Sequence, residues 1–266
     1  NLYPNACTLL VDTYDTLHSG VPNAIKVFTE LRDKGIHPKS YGIRIDSGDL
    51  AYLSIEARRM LDEAGFEDAA ISASNDLDEY LIESLKSQGA KINVWGVGTN
   101  LITSKDNPSF GGVYKLAAIA DQDGNFVPKI KKSENIEKVT NPGNKKVYRI
   151  YDNDTGKVKA DLICLADEIY DVSESLTLFD PNAPWKKTKL PGGSYTMRAL
   201  HIPVVKNGKT VYESPSVMEI RDYCNKEKKT LWDGCKRFAF AQLPRVDLSQ
   251  KLYDLKVELL HNASDV

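Results

Sequence analysis

No apolar run in the 266 residues approaches the roughly 20 needed to span a bilayer, and no charged-then-apolar leader is present. A membrane-embedded or secreted chain is therefore not indicated, and a cytoplasmic location is the expectation. Cysteine is scarce: Cys7, Cys164, Cys224 and Cys235 are scattered, and no two stand close enough for a paired-cysteine zinc site. The four histidines, His18, His37, His201 and His261, also lack metal-ligand spacing and fit surface or packing positions. Neither sign of charge dominates, since 35 Lys and Arg face 37 Asp and Glu. Without a global field there is no electrostatic case for nucleic acid or an acidic membrane, so any anion must be held by a local site. There is no initiator methionine; the chain opens Asn-Leu-Tyr-Pro-Asn and enters a strand at once, so it is expected to be part of something longer.

What is present is a repeated strand-then-helix pattern over about the first hundred residues. TLLVDTYD, from Thr8, starts with an apolar, β-branched stretch that suits a strand buried on both faces of a parallel sheet. Val21, Ile25, Phe28 and Leu31 follow at helical spacing, with Pro22 in the first turn and Gly35 as a stop. YGIRI leads into a helix with Leu50, Leu53, Ala57, Met60 and Leu61 on one stripe, ended by Gly65. AAISAS leads into a helix from Leu77 to Gln88, where Asp76 and Glu79 resemble a capping box, and INVWGV is a fourth strand. Such alternation implies βαβ units with right-handed crossovers.

The later sequence changes style. DQDGN, DNDTG and KNGK are hairpin turn signals between strand-like runs such as KVYRIY, ADLICL and TVYE. Two helices are expected near Val217 to Lys228 and Leu248 to His261, the second with Leu248, Leu252, Leu255 and Leu259 on one stripe. FDPNAPWKKTKLPGGS, from Phe179 to Ser194, looks like a linker. The expected division is residues 1–118 as a partial α/β unit, 119–178 as a β-rich segment and 179–266 as an α+β region. Four βα units make half a barrel and leave open edges.

Polar residues collect after each expected strand. Asp12, Tyr14 and Asp15 follow the first; Arg44, Asp46, Ser47, Gly48 and Asp49 the second; Ser74, Asn75 and Asp76 the third; Gly96, Gly98, Thr99 and Asn100 the fourth. In a parallel sheet these positions share the C-terminal edge, where ligands bind in α/β folds. Glycine-rich turns and hydroxyls such as those of GVGTN suit a phosphate. Asp12, Asp46 and Asp76 would repel a bare phosphate, but they suit ribose hydroxyls, a divalent metal bridging a pyrophosphate, or positive charge developing at a sugar carbon. Arg44 offers a fixed fork for an anion. A phosphorylated sugar accounts for this combination, whereas Asp49, Ser74 and Asp76 fit helix caps equally well and Arg44 with Asp46 also fits a structural ion pair. Tyr14 is expected to pack on the sheet rim. The lysine-rich run from Lys129 to Lys146 reads as a solvated loop, with anion contact near Thr140-Asn141-Pro142-Gly143 left open.

LLVDTYDTL, RIDSGDL, ISASNDLDE, WGVGTNL and GGVYKLAAI, in this order and spacing, resemble the bacterial-type nicotinate phosphoribosyltransferase family, as do KKSENIEKVTNPGNKKVYR, ADLICLADE and VDLSQKLYDLKVEL. The resemblance implies an irregular α/β barrel with a β-rich companion, working as a homodimer in NAD salvage. It implies nicotinate and 5-phosphoribosyl 1-diphosphate as substrates, ATP as co-substrate and magnesium as helper. Asp12 and Asp46 would face the ribose and its anomeric carbon, and Arg44 the base or phosphates. Ser47 and Gly48 would line the same loop, with Ser74, Asn75, Asp76, Gly96, Gly98 and Thr99 around the 5′-phosphate. Family segments that carry the aromatic group stacking on nicotinate, and the histidine that becomes phosphorylated, have no counterpart among these residues. The competing expectations are a nicotinamide- or quinolinate-using relative, and a non-catalytic module binding a phosphate ligand.

Overall fold

The computed structural model describes residues 5–109, 111–135 and 138–262, which divide into two compact units, Asn1–Gly112 and Val113–Val266. Among the described residues no helix is long and apolar enough to cross a membrane.

The first unit follows the alternation in the sequence: β1 (Ala6–Leu10), a five-residue π-type turn (Thr16–Gly20), α1 (Val21–Asp33), β2 (Ser40–Ile45), α2 (Leu50–Glu63), β3 (Ala70–Ala73), α3 (Glu79–Ser87), β4 (Val94–Trp95) and the single turn α4 (Thr99–Ile102). The strands form one parallel sheet in sequence order, β1-β2-β3-β4. Ile43, Ile45, Ile71 and Ala73 bury one face against Ala24 and Phe28 of α1, Ala57 and Leu61 of α2, and Leu85 of α3. Each fully buried Leu, Ile or Phe contributes about 1.5–3 kcal/mol, so this single helical layer holds the sheet.

The other face differs. Register aligns Leu10 with Arg44, Arg44 with Ser72 and Ser72 with Val94, so these four side chains share a row. Leu10 is 53% and Val94 48% exposed. The expected burial of the first strand on both faces is thus overturned: the helices cover one side only. INVWGV also shortens to two paired residues, beside which the Asn93 side chain accepts from Ile71 N of β3 at 2.7 Å.

Two further details depart from the sequence expectation. The N-cap of α3 is Asp78, whose carboxylate accepts from Leu81 N at 2.7 Å; Asp76 lies two residues earlier with φ of 44°. Buried Leu77 fixes the chain in the core before the helix begins, which moves the cap downstream. Tyr14 is 95% exposed rather than packed on the rim.

The second unit contains the hairpin of β5 (Ala118–Ala120) and β6 (Phe126–Pro128), then β7 (Lys145–Asp152), β8 (Val158–Leu165), β9 (Leu176–Asp180), β10 (Ala183–Leu190), β11 (Tyr195–Ala199), the short pair β12 (Val205–Lys206) and β13 (Lys209–Thr210), α5 (Val217–Thr230), β14 (Val246–Leu248) and α6 (Gln250–Asn262). Its main sheet has the order β11-β7-β8-β14, drawing strands from both sides of residue 179. Alternating burial along β8 places Ala160 and Leu162 in a core with Ile150, Leu178, Leu190 and Tyr195.

The segment expected as a linker is instead the β9–β10 hairpin, turned at Pro181-Asn182, where Asp180 accepts from Asn182 N at 2.9 Å. Its proline and glycine punctuate strands whose Leu178, Phe179 and Leu190 are buried. Leu248 belongs to β14 rather than to the terminal helix stripe. Ser249 separates the two elements, its hydroxyl accepting from Leu252 N at 3.1 Å.

Candidate active site

The loops after β1, β2, β3 and β4 leave the same edge of the parallel sheet, and three of them are tied together by side chains. Asp12, two residues beyond β1, uses Oδ2 to accept from Asp46 N and from Ser47 Oγ, both at 2.7 Å. Arg44, near the end of β2, donates through Nε to Ser74 Oγ at 2.8 Å and through Nη2 to Asp46 Oδ1 at 3.0 Å. Ser74 in turn donates its hydroxyl proton to Asp46 Oδ1. Asp12, Arg44, Asp46, Ser47 and Ser74 therefore form one continuous hydrogen-bonded set.

Local backbone geometry explains why these residue types stand here. Gly48 has φ of 77° and follows Ser47 immediately, which lets the chain turn from the Asp12-held segment into α2. Asp49 then caps α2 by accepting from Tyr52 N at 3.0 Å, so the second acid of RIDSGD is a cap. Beyond β3, Asn75 and Asp76 have φ of 93° and 44°. Two consecutive non-glycine residues in that region cost about 1–3 kcal/mol each, and strain of this kind gathers at functional edges. The side-chain amide of Asn100 relieves part of it by donating to the carbonyls of Asp76 at 2.8 Å and Leu77 at 3.1 Å.

The fourth loop is built from backbone contacts and a short helical turn. Gly96 N donates to Ala73 O at 2.7 Å, so that amide is committed to extending the sheet. Gly98 precedes α4, which starts at Thr99 and is one turn long. A cavity of about 290 Å³ beside this loop is lined by Val97, Asn100 and Leu101 with Asp78 and Ser104, while Arg44 and Asp46 are not among its walls.

The electrostatics are those of a half-open surface. The Arg44 and Asp46 side chains are 49% and 45% exposed, so their attraction is screened by water. The Ser74 hydroxyl first, and the Arg44 guanidinium second, hold the Asp46 carboxyl below the usual carboxylate range. Asp46 is consequently an anion at neutral pH. At the first strand end His18 pairs with Asp15, whose carboxylate caps the π-type turn by accepting from His18 N at 2.9 Å, so that histidine has a local partner.

The structure thus joins Asp12, Arg44, Asp46, Ser47 and Ser74 directly, with Gly48 as their turn. Asn75, Asp76, Gly96, Gly98 and Thr99 border the same edge. Sequence reasoning placed Asn100 among the strand-end residues without a task, and its clamp on two carbonyls emerges only from the fold.

Comparison with known proteins gives one family by sequence, while the fold alone is also shared with the nicotinate-nucleotide pyrophosphorylase of Pyrococcus furiosus, at a TM-score of 0.52 and 22% identity over 85% of this chain and 47% of that one. Residues 144–256 match the family profile described as nicotinate phosphoribosyltransferase C-terminal domain. The nicotinate phosphoribosyltransferase of Bacillus subtilis is 46% identical over 96% of this chain and 51% of its own length. That of Dictyostelium discoideum is 35% identical over 98% of this chain and 44% of its own. Among solved structures, human nicotinic acid phosphoribosyltransferase superposes with a TM-score of 0.72 at 26% identity, covering 97% of this chain and 48% of that one. The chain spans about half the length of the relatives it matches, and it belongs to the nicotinate phosphoribosyltransferase family.

Proposed function

We propose that these residues form part of a nicotinate phosphoribosyltransferase, with the linked strand ends handling the phosphoribosyl group. The observation that carries this reading is the Asp12–Asp46–Arg44–Ser74 set at the C-terminal edge of four parallel strands. A sheet covered by helices on one side, with its strands in sequence order, suits one wall of an irregular (β/α) barrel.

In the proposed reaction the ring nitrogen of nicotinate uses its lone pair to bond to the anomeric carbon of 5-phosphoribosyl 1-diphosphate. The bond from that carbon to the diphosphate oxygen breaks, and pyrophosphate leaves with the electron pair. No proton need move. The barrier lies in the positive charge that develops at the sugar carbon, and a preorganised carboxylate lowers it. Asp46, kept ionised by its neighbours, is suited to that task, and Asp12 supports it through the turn it holds. Arg44 offers its remaining donors to phosphate or to the base carboxylate, while Ser47 and Gly48, with Asn75, Asp76, Gly98 and Thr99, line the route of the phosphates.

Among the described residues no group of three or more His, Cys, Asp or Glu side chains gathers to hold a metal ion, so magnesium, which family membership implies, would arrive with the diphosphate and take its ligands from phosphate oxygens and water. When bound, it would neutralise charge on the departing pyrophosphate. ATP as co-substrate, a homodimeric assembly and a cytoplasmic location complete the proposal and rest on family membership.

The test is nicotinate mononucleotide formation by a polypeptide of the relatives' length that contains these 266 residues. Asp46→Asn is expected to lower kcat by about 10²–10³-fold, the usual consequence of removing one preorganised charge stabiliser. Transfer unchanged in Asp46→Asn, or a wild-type preference for nicotinamide or quinolinate over nicotinate, overturns the reading.

A further inference from the structure

Ser74 belongs to the group expected around a phosphate, yet its hydroxyl has one proton and that proton is spent. The direction of both bonds is fixed by the partners: Arg44 Nε–H can only donate, and an ionised Asp46 can only accept. Ser74 must therefore accept from Arg44 and donate to Asp46. It has no donor left for a phosphate oxygen, which is itself an acceptor, unless the link to Asp46 breaks.

What the hydroxyl does is join two functional groups carried on one strand. Arg44 and Asp46 are two residues apart and touch through Nη2 and Oδ1 at 3.0 Å, but both are nearly half exposed and would be free to swing. Long exposed ion pairs gain little from attraction alone. Ser74, arriving from the next strand, binds the inner edge of the guanidinium and the same carboxylate oxygen that Arg44 contacts. The three groups close a ring, whose geometry is set by the register that aligns Arg44 with Ser72. Arg44 Nη1 and Asp46 Oδ2 are then the groups of the pair without a hydrogen-bond partner among the described residues.

We propose that Ser74 is a positioning residue: by accepting from Arg44 Nε and donating to Asp46 Oδ1 it locks guanidinium and carboxylate into one unit that presents Arg44 Nη1 and Asp46 Oδ2 to the phosphoribosyl substrate. This rests on the proposed function for its substrate, but not for its geometry. The same contact is the first cause of the lowered Asp46 pKa, so its loss and its restoration should both register at that carboxyl.

Two measurements separate this inference from the functional reading. In the 266-residue chain, a carbon-detected NMR titration of the Asp46 carboxyl is expected to show its midpoint rising toward the ordinary carboxylate value in Ser74→Ala, and returning in Ser74→Thr, which restores a hydroxyl. In the longer polypeptide, Ser74→Ala is expected to lower kcat/KM by about tenfold or more, the scale of one hydrogen bond to a charged group, and to move the acid limb of the pH profile upward. An Asp46 midpoint unchanged in Ser74→Ala overturns the positioning role whatever the activity. A moved midpoint with no phosphoribosyl transfer by the wild type instead keeps the lock and rejects the substrate. If Ser74→Ala unfolds, Ser74→Cys, which keeps the size but donates weakly, replaces it and must move the midpoint in the same direction.

Discussion

Asp12 Oδ2 accepts from the Ser47 hydroxyl at 2.7 Å across 35 residues of sequence, and from Asp46 N at the same distance. One carboxylate oxygen thus fixes both the backbone and the side chain of the turn that follows β2. Asp12→Ala removes the one oxygen that accepts both bonds, leaving two donors at an edge open to water. The expected global cost is about 1–3 kcal/mol, since two hydrogen bonds to a charged group are lost but water can replace them. The turn should suffer more than the core: amide exchange at Asp46 and Ser47 is expected to quicken while that at Ile43 is unchanged. Equal exchange at Asp46 in both proteins would remove Asp12 from this role.

Gly42 shows how closely the sheet must pack to bring these loops together. A Cβ at this position would lie 2.1 Å from the carbonyl oxygen of Ala70 on β3, which is backbone and cannot swing away. Gly42→Ala must therefore spread β2 from β3, at an expected cost of at least about 2–3 kcal/mol, and it would also disturb the Arg44–Ser74 contact two residues on. Gly112→Ala, with nothing within 4 Å among the described residues, is the control expected to stay within about 0.5 kcal/mol of wild type. Urea midpoints measure both, and similar midpoints for the two variants contradict the crowding argument.

The comparison of sequence with structure follows from these contacts. RIDSGD announces Arg44 and Asp46 because a guanidinium and a carboxylate at a strand end have little packing reason to be there. Their dependence on Ser74 is illegible, since it comes from the parallel register that aligns Arg44 with Ser72, and register is a tertiary property. The task of Asn100 is hidden for the same reason: it answers carbonyls 24 and 23 residues away. Apolar strand composition also misled where it suggested two covered faces, because Leu10 and Val94 are apolar and exposed. In Phe179 to Ser194, proline and glycine signalled turns correctly, but buried Leu178 and Leu190 make the segment a hairpin rather than a linker.

Helix α5 tests a different kind of packing. None of its residues is fully buried, and Val217, Met218, Ile220 and Tyr223 are exposed. Its C-terminal half is held by polar groups: Glu227 accepts from Arg198 Nη1 at 2.9 Å and Nη2 at 2.6 Å, and Lys157 Nζ donates to the carbonyls of Lys229 and Leu231. Glu227→Gln weakens the bidentate pair and leaves Arg149 and Arg198 less well compensated. Because Arg198 is 38% exposed and can rehydrate, the expected cost is only about 1–2 kcal/mol. Hydrogen exchange along α5 is expected to accelerate about tenfold or more, with β8 unaffected. Equal acceleration in α5 and β8 would show that Glu227 supports the whole unit rather than the helix.

Asp247 gives the second unit an unusual pH response. Its side chain is 1% exposed, neither carboxylate oxygen accepts a hydrogen bond among the described residues, and Arg245 Nε stands 2.7 Å from Oδ2 as an ion pair outside hydrogen-bond alignment. Burial pushes the carboxyl above its ordinary value, and Arg245 offsets only part of that shift. The folded chain therefore keeps this proton at a pH where the unfolded chain has lost it. That contribution to stability is present below the ordinary carboxylate value and disappears as pH rises through the folded one. Paired carboxylates such as Asp152, lowered to about 2 by Lys159 and Thr155, act in the opposite direction, so wild-type stability alone cannot isolate the effect. The difference between wild type and Asp247→Asn can: the advantage of the wild type is expected to be greatest near pH 4 and to shrink toward pH 7. Urea unfolding of both proteins across that range measures it, and a difference constant with pH, or growing with it, would mean that Asp247 is ionised in the fold as readily as in water.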